Sequence, residues 1–334
     1  MSGRLSAARA RAIVRRFGRV RLAVVGDLIA DEFIYGRLDR VSREAPVLIL
    51  GYDSTEIVPG GAGNAAANAA ALGARVDVVG VVGTDDAGRR LVAALPRRAA
   101  TAGVVRAGDV VTPVKTRILA GGVHSAKQQV VRIDRAGGPI RPALVRRVER
   151  AFAAALRRAD AVIVSDYGSG LVTPALWRRA LAAARRRRPP PTFVDSRFAL
   201  AGFTGMTACT PNESEVEALV GVTIGDDPAA LERAGRRLLG RLECRAVVIT
   251  RGSRGMAVFE PDRPTEHLPI VGSDEVADVT GAGDTVIATF ALALAAGATF
   301  GEAARLANHA GGLVVMKRGT ATVSAAELLA SVGR

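Results

Sequence analysis

The sequence predicts an α/β fold: a doubly wound, mostly parallel sheet with a small β-sheet lid. Two observations indicate it. Short apolar strands such as 161-AVIVSD-166 and 246-AVVIT-250 alternate with stretches of helical spacing, the pattern of a parallel sheet. Two extended segments, about 33–59 and 110–135, do not fit this alternation, and we expect them to pair into a separate small sheet. Residues 1–334 then form a single domain into which the two lid segments are inserted.

The elements before the second lid segment follow from apolar periodicity. In order, they are a helix in 1–20, a strand from 21 to Gly26-Asp27, a helix in 62–74, a strand in 75–83 and a helix from Asp85 or Asp86. The first helix is amphipathic and rich in Arg. The lid loop then contains His124, to which we assign a surface or packing role.

The elements after the lid alternate regularly. They are a helix in 141–160, the strand 161–166, a helix ending at Arg185 to Arg188, the strand 192-TFVD-195, two helices, the strand 246–250 and a buried helix over 286-VIATFALALAAGATF-300. Strands that each follow a helix in this way are typical of a parallel sheet, because a parallel connection has to cross back over the sheet.

The charge of the chain allows two interpretations. The formal net charge is +14, and the 46 basic residues include only three Lys. A basic nucleic-acid-binding protein is one interpretation. We favour a solvated basic surface, because Arg fills the outer face of helical segments such as 141–160 and no nucleic-acid-binding motif is present. We therefore expect no nucleic-acid partner.

The cysteines and apolar runs bear on the compartment. Cys209 and Cys244 are the only cysteines and lack metal-ligand spacing, which fits a reducing cytoplasm. The longest apolar run, about 15 residues, is too short to span a bilayer. The N-terminus also lacks the apolar core of a signal peptide. We expect a cytoplasmic protein that does not associate with membranes.

Polar or glycine-rich segments follow most of the predicted strands. They are Gly26-Asp27, Asp166-Tyr167-Gly168, Asp195, Thr210 to Glu213, Thr250 to Gly252, and Gly281 to Asp284. In open α/β sheets, ligands bind beyond the carboxyl ends of the strands. One such segment would be ordinary turn chemistry, but six at one edge indicate an active site.

The stretch 278-DVTGAGDT-285 precedes the last apolar run. Gly281, Ala282 and Gly283 have little or no side chain, so their backbone N–H groups, at a helix N-terminus, can approach an anion closely. Asp284 would lie beside this cradle, where a carboxylate can take the proton of a hydroxyl that attacks phosphorus. The alternative is that Asp284 only caps the helix.

These residues resemble a known family. The stretch DVTGAGD resembles the second signature of the ribokinase-like (phosphofructokinase-B-type) sugar kinases. The first signature is matched by 59-PGGAGNAAANAAALGA-74, the Asn-x-x-Glu motif by 211-PNESE-215, and the Thr-x-Gly nucleotide loop by 250-TRGSRG-255. All occur in family order and cover nearly the whole chain. The resemblance implies an ATP-dependent carbohydrate kinase that uses Mg²⁺ and K⁺.

Four further stretches narrow the resemblance within the family. They are 26-GDLIADEFIYG-36, 41-VSREAPV-47, 164-VSDYGSG-170 and 317-KRGTATVS-324. They resemble the kinases of D-glycero-D-manno-heptose 7-phosphate, which implies phosphorylation at O1 to heptose 1,7-bisphosphate. Some of these kinases are fused to an adenylyltransferase, but no HxGH motif is present here, so we expect no adenylyltransferase domain. The alternative substrate is another sugar, sugar phosphate or nucleoside.

The resemblance implies a role for each matching residue. Asp284 is the catalytic base, and the amides from Gly281 through Ala282 and Gly283 form the anion hole. The residues expected to bind ATP are Thr250, Gly252, Gly255, Asn308, Asn212 and Glu215. Of these, Asn212 and Glu215 would also hold Mg²⁺ through waters. Those expected to bind the monovalent cation are Asp278, Thr280 and Ser324. Those expected to contact the sugar are Asp31, Gly60, Gly61, Asn64 and Asp166.

A substrate that already carries a phosphate needs cations at the far end of its pocket, because an unpaired buried dianion is costly. The four candidates are Lys115, Arg117, Arg132 and Arg197. The alternative for each is a solvated lid residue.

Two departures from the heptose kinases concern the substrate side. Ser169 stands where they carry Lys, and 195-DSR-197 stands where they carry Asp-Pro-Lys, so Arg197 would replace that second Lys. The resemblance also implies a homodimer formed through the lid.

Overall fold

A computed structural model describes residues 5–121, 127–184, 189–272 and 278–333. His124 and the predicted helix end at 185–188 lie outside the described residues. The strands are β1 (Arg21–Gly26), β2 (Leu28–Val41), β3 (Leu48–Gly61), β4 (Arg75–Gly83), β5 (Ala99–Ala107), β6 (Val114–Gly121), β7 (Gln128–Arg135), β8 (Ala161–Asp166), β9 (Thr192–Ser196), β10 (Ala208–Cys209), β11 (Ala246–Thr250), β12 (Met256–Phe259) and β13 (Glu266–Leu268). The helices are α1 (Ala7–Val14), α2 (Ala62–Ala71), α3 (Asp86–Ala94), α4 (Pro142–Leu156), α5 (Pro174–Ala184), α6 (Glu213–Val220), α7 (Pro228–Leu242), α8 (Ala282–Ala295), α9 (Phe300–Val314) and α10 (Ala325–Val332).

The large sheet has the strand order β13-β12-β11-β10-β9-β8-β1-β4-β5. In the described part of this sheet, the seven strands from β11 across to β5 pair in parallel, and β12 and β13 are antiparallel. One apolar cluster packs α1, α2, α8 and α9 on one face, and a second packs α4, α5 and α7 on the other. The predicted doubly wound, mostly parallel sheet is therefore confirmed.

The strand order reverses direction at β1. The chain moves outward from β1 to β4 and β5, then returns to β8 on the other side of β1. Ligands bind at such a switch point, beyond the carboxyl ends of the strands. The residues at this place are Asp27, directly after β1, and Asp166 and Tyr167, at the end of β8.

The lid is a four-stranded sheet with the order β3-β2-β6-β7. The two segments that the sequence predicted to pair do so, because β2 runs parallel to β6. The strands extend further than the predicted 33–59, from Leu28 to Gly61. The lid strand β2 therefore begins almost directly after β1 of the large sheet ends. In the register of β2 and β6, Asp31 lies opposite Lys115 and Phe33 opposite Arg117.

The fold differs from the prediction in several elements, and β10, β12, β13 and α10 are among those that were not predicted. The run 286–300 is not one helix: α8 ends at Ala295, Gly297 adopts a φ of 92°, and Thr299 begins α9 with a capping box. The strand β5 was not predicted, because it is an edge strand with half-exposed positions and lacks a continuous apolar run. Within the described ranges, no helix is long and apolar enough to cross a membrane.

Candidate active site

A cleft of about 420 Å³ opens at the carboxyl ends of β8 to β11. One wall is the start of α8, from Gly281 to Gly283, and the other contains the loops after β10 and β11. The six residues predicted to bind the nucleotide all line it: Asn212, Glu215, Thr250, Gly252, Gly255 and Asn308. The structure therefore brings these predicted residues and the predicted anion hole together in one cleft.

The start of α8 presents free backbone amides to this cleft. Gly281 precedes the helix with a φ of 77°, and a Cβ there would overlap the Asn64 amide. The N–H of Ala282 donates to the carbonyl of Val279, whereas the next two amides have no acceptor outside the helix among the described residues. A Cβ on Gly283 would meet nothing within 4 Å, so this face is open to an anion.

Asp284 lies in the first turn of α8 and is only 3% exposed. Its Oδ2 accepts a hydrogen bond of 2.9 Å from Asn64 Nδ2, and its Oδ1 accepts one of 3.1 Å from the Tyr167 hydroxyl. Burial, with a smaller contribution from the nearby Asp31, raises the pKa of this carboxyl to about 7, although the two hydrogen bonds and Arg197 oppose the rise. A pKa near neutrality suits a general base.

A chain of amides orients the Asn64 side chain. Asn68 Nδ2 donates to Asn64 Oδ1 at 2.9 Å, and the Thr285 hydroxyl donates to Asn68 Oδ1 at 3.0 Å. Both asparagines are buried on α2, one helical turn apart, so they lie on the face that packs against α8. This network directs the amide of Asn64, and not its oxygen, at Asp284.

On the nucleotide side, Asn212 and Glu215 form a capping box at the start of α6. Asn212 Oδ1 accepts from the Glu215 amide, and Glu215 Oε2 accepts from the Asn212 amide, each at 2.9 Å. Gly255 has a φ of 77°, and a Cβ there would overlap the Leu268 carbonyl, so only Gly fits this loop. Asn308 Nδ2, which also lines the cleft, donates to the Pro269 carbonyl at 2.7 Å.

Two acids on this side, Asp195 and Glu215, form no ion pair with a cation of the described residues. Burial raises the pKa of Asp195 to about 8, with Asp284 and Glu215 adding repulsion, and burial also raises the pKa of Glu215. Thr210 lines the same cleft, and its buried hydroxyl has no hydrogen-bond partner within the described residues. This donor set suits a hard cation such as Mg²⁺. No group of three or more His, Cys, Asp or Glu in the described ranges is arranged to ligate a metal directly.

The residues predicted to bind a monovalent cation lie in two adjoining loops. The Asp278 carboxylate accepts from the amides of Thr280, at 2.9 Å, and Gly319, at 3.1 Å, so it ties the loop before α8 to the loop before α10. Ser324 is the N-cap of α10, where its side chain accepts from the Glu327 amide. Its hydroxyl is therefore already used locally, and its carbonyl accepts from the Leu328 amide at 3.0 Å.

On the sugar side, Asp31 is buried and held by two partners. Arg117 Nη1 donates to its Oδ1 at 2.8 Å, and the Thr320 hydroxyl donates to its Oδ2 at 3.0 Å. A Cβ on Gly60 would lie 2.5 Å from Asp31 Oδ2, which explains why a glycine stands there. Gly61 has a φ of 56°, a conformation that favours Gly at the start of α2.

The structure separates the four candidate phosphate-binding cations into two pairs. Arg117 forms the buried ion pair with Asp31, and Arg132 forms an exposed one with Asp134. Lys115 and Arg197 form no ion pair with a carboxylate of the described residues, and both lie over the Tyr167 ring, with Nζ and Cζ 4.9 and 4.8 Å from its centre. Burial and Arg197 lower the pKa of Lys115.

Asp166 and Ser169 shape the loop after β8. Asp166 Oδ1 accepts from the Gly168 amide at 2.9 Å, and its Oδ2 accepts from the Ser196 hydroxyl at 2.6 Å. The Ser169 hydroxyl donates to Asp27 in a short hydrogen bond. Both side chains thus have structural partners, and Asp166, which we predicted to contact the sugar, holds the loop that carries Tyr167.

Sequence reasoning missed the roles of three residues at this site. Tyr167 and Asp195 stood among the polar strand ends, but nothing in the sequence connected either to Asp284. Thr320 is separated from Asp31 by 289 positions, and nothing in its stretch, 317-KRGTATVS-324, connected it to Asp31. The sequence feature that could have indicated a functional role for Tyr167 was its position directly after a fully buried strand at the switch point.

The parallel sheet, the four-stranded lid and the glycine-rich helix start beside a buried carboxylate define a ribokinase-like kinase. The model of the pfkB family carbohydrate kinases matches residues 21–327. The chain belongs to this family.

Solved structures support the fold. Ribokinase of Arabidopsis thaliana, solved with ribose and ATP, superposes with a TM-score of 0.71 and 20% identity over 94% of this chain and 98% of that one. Phosphofructokinase-2 from Escherichia coli, solved with potassium, gives a TM-score of 0.74 and 20% identity over 94% of this chain and all of the other.

Curated relatives are more similar in sequence. The bifunctional protein HldE of Geobacter sulfurreducens is 42% identical over 319 residues, which are 95% of this chain and 64% of the relative. HldE of Caulobacter vibrioides is 42% identical over 318 residues, with the same coverage. The chain thus spans somewhat less than two thirds of the length of these relatives.

Proposed function

We propose that the protein transfers the γ-phosphoryl group of ATP to O1 of D-glycero-D-manno-heptose 7-phosphate, giving heptose 1,7-bisphosphate. The similarity to proteins named HldE supports a heptose kinase. The observation that carries the proposal is the pair of cations, Lys115 and Arg197, that have no carboxylate partner among the described residues and lie over the ring of Tyr167, whose hydroxyl contacts Asp284. Such cations call for an anionic group on the substrate.

In the proposed reaction, Asp284 acts as the general base. It accepts the proton of the sugar hydroxyl while that oxygen attacks the γ-phosphorus. The bond from this phosphorus to the bridging oxygen breaks, and ADP leaves with the electron pair. The free amides of Gly283 and Asp284 stabilise the charge that develops on the transferred group. The carboxylate still has lone pairs for the proton, because Asn64 and Tyr167 use one on each oxygen.

ATP and its cations would occupy the cleft of about 420 Å³. Asn212, Glu215 and Asp195 would hold Mg²⁺ through waters and the nucleotide phosphates, as Mg²⁺ prefers. When bound, Mg²⁺ neutralises charge on the transferred phosphoryl group. A monovalent cation would bind at the loops joined by Asp278, for which the potassium complex of phosphofructokinase-2 gives support.

The substrate phosphate would be held by Lys115 and Arg197. Arg117 has a different task, because its charge already neutralises Asp31 inside the lid. Removing Arg117 from Asp31 to bind a phosphate would leave a buried carboxylate unpaired. Arg132 is exposed and paired with Asp134, so the grip needs no contribution from it.

We propose a homodimer formed through the lid, in the cytoplasm. The lid exposes large apolar side chains that a partner subunit would cover: Leu38, Val41, Leu48, Tyr52, Val131 and Ile133. Apolar clusters of this kind mark protein–protein contact surfaces.

A second candidate is a kinase for another sugar phosphate. The observation behind it is Ser169, whose hydroxyl is bonded to Asp27 and so cannot replace a Lys that would reach the substrate. An ADP-release screen over sugars and sugar phosphates, with NMR of the product to locate the new phosphate, tests both. The proposed function requires that turnover is fastest with heptose 7-phosphate and that NMR of the product places the new phosphate on C1. A faster reaction with a different sugar phosphate would favour the second candidate.

A further inference from the structure

We infer that Tyr167 is a positioning residue that connects recognition of the substrate phosphate to the base. Its hydroxyl donates a hydrogen bond to Asp284. Its ring contacts Lys115 and Arg197, the two cations that would bind the phosphate. The inference rests on the proposed function, and it assigns to one side chain the link between the two ends of the substrate pocket.

The hydroxyl fixes one oxygen of the base. Tyr167 donates to Asp284 Oδ1 at 3.1 Å, while Asn64 donates to Oδ2 at 2.9 Å, so the carboxylate plane is held from both sides. A carboxylate that rotated freely would spend less time with a lone pair directed at the attacking hydroxyl. Asp31 and Asp195 also lie near Asp284 and repel its charge, whereas Arg197 attracts it.

The loop that carries Tyr167 is fixed by hydrogen bonds on both sides of this residue. The Tyr167 amide donates to Asp27 Oδ2 at 2.8 Å, and the Ser169 amide donates to the same oxygen at 3.2 Å. Asp166 accepts from the Gly168 amide at 2.9 Å. Asp27 follows the central strand β1, so the large sheet itself sets the position of the ring. A positioning residue needs this kind of rigid support.

The ring lies next to the cations that lack carboxylate partners among the described residues. Two cations near one another repel, and each is attracted to the electron-rich face of an aromatic ring. Tyr167 therefore stabilises Lys115 and Arg197 together before the substrate arrives. Their side chains come from different parts of the chain, the lid strand β6 and the loop after β9, and the ring is the contact that they share.

The test separates the hydroxyl from the ring. Tyr167→Phe removes only the hydroxyl, and Tyr35→Phe, at a lid tyrosine stacked on Phe33, is the matched control. With aspartate labelled with ¹³C, the Asp284 carboxyl is identified by its loss in Asp284→Asn and titrated by NMR. We expect its pKa to rise by about one unit in Tyr167→Phe, since a hydrogen bond to a charged group is lost. Thermal unfolding checks that the variant is folded.

The same change has a kinetic signature. If the pKa of Asp284 moves from about 7 to about 8, the ionised fraction of this carboxyl at pH 7 falls from about one half to about one tenth. We therefore expect kcat at pH 7 to fall about fivefold and to recover by pH 9, where the carboxyl is ionised again. KM for the phosphorylated sugar should stay within about twofold, because the ring is kept. Tyr167→Leu, which removes the ring, should instead raise that KM by roughly 3- to 10-fold and leave KM for the free sugar unchanged.

Unchanged Asp284 titration in Tyr167→Phe would overturn the role of the hydroxyl, whatever sugar the enzyme uses. Equal effects of Tyr167→Leu on the phosphorylated and free sugars would overturn the role of the ring. A wild type that phosphorylates free sugars and no sugar phosphate would refute the proposed function, and with it the part assigned to the ring. The NMR titration does not depend on the substrate, so the two failures can be told apart.

Discussion

Replacing Asp284 by Asn should stabilise the protein while it abolishes most of the activity. Asn keeps the shape of the side chain and both contacts, because its oxygen can accept from Asn64 and its amide can donate to the Tyr167 hydroxyl. It cannot take a proton from the substrate. We expect kcat to fall by roughly 10²- to 10⁴-fold, the usual contribution of a general base. Nucleotide binding should change little.

The gain in stability follows from the pKa of the carboxyl. It is raised from 3.8 to about 7 in the folded protein, so the folded state holds its proton more tightly than the unfolded state. Below about pH 4 the Asp284 carboxyl is protonated in both states, so its raised pKa does not lower the free energy of unfolding. Between pH 4 and 7 stability falls as the unfolded carboxyl alone ionises, and above 7 the full cost of about 4 kcal/mol persists. Asn carries no charge and avoids this cost.

The expected gain therefore depends on pH. At pH 5 the raised pKa costs the wild type only about 1.6 kcal/mol, so Asp284→Asn should gain about 3 kcal/mol more at pH 8 than at pH 5. Urea unfolding of both proteins at the two pH values measures this difference. Asp39→Asn, on the exposed part of the lid, serves as the control. A variant with near-normal turnover, or with the same change in stability at pH 5 and pH 8, would refute the reasoning.

Three further predictions concern other parts of the site. With a base of pKa about 7, kcat/KM should rise about tenfold from pH 6 to pH 8, and a flat profile would exclude Asp284 in that role. Arg117→Met should destabilise the protein by about 3–5 kcal/mol, because it leaves the buried Asp31 unpaired. Arg132→Met breaks only an exposed ion pair and should cost at most about 1 kcal/mol, and thermal unfolding compares the two variants. Activity should rise when K⁺ replaces Na⁺ at constant ionic strength if Asp278 organises a cation loop, and equal rates in both salts would contradict it.

The fold could be predicted because its central strands are fully buried. Strands such as β8 and β11 are continuous apolar runs bounded by helices, and a parallel sheet with helices on both sides buries such strands on both faces. The lid was predicted by its failure to fit that alternation. The edge strand β5 and the break between α8 and α9 were missed, because half-exposed positions and a single glycine are weak signals beside a long apolar stretch.

The site was only partly accessible from the sequence. The glycine-rich start of α8 could be found because an anion can approach backbone amides closely only where the side chains are small. This requirement is visible in the local sequence. Arg197 was distinguished in the sequence by its match to a family Lys, but the three lid candidates, Lys115, Arg117 and Arg132, were equivalent. Only the tertiary structure distinguishes Arg117, paired with Asp31, from Lys115. Partners such as Tyr167 and Asp284 are 117 positions apart, and no local pattern connects them.

The central claim is that the substrate carries a phosphate that Lys115 and Arg197 bind. Its most direct test is kcat/KM for heptose 7-phosphate and for free heptose in the wild type, Lys115→Ala and Arg197→Ala. We predict that the wild type prefers the phosphorylated sugar and that each substitution reduces this preference by roughly 10- to 100-fold, the value of a charge-assisted contact. Equal kcat/KM for the two sugars in the wild type, or a preference that neither substitution changes, would contradict the account.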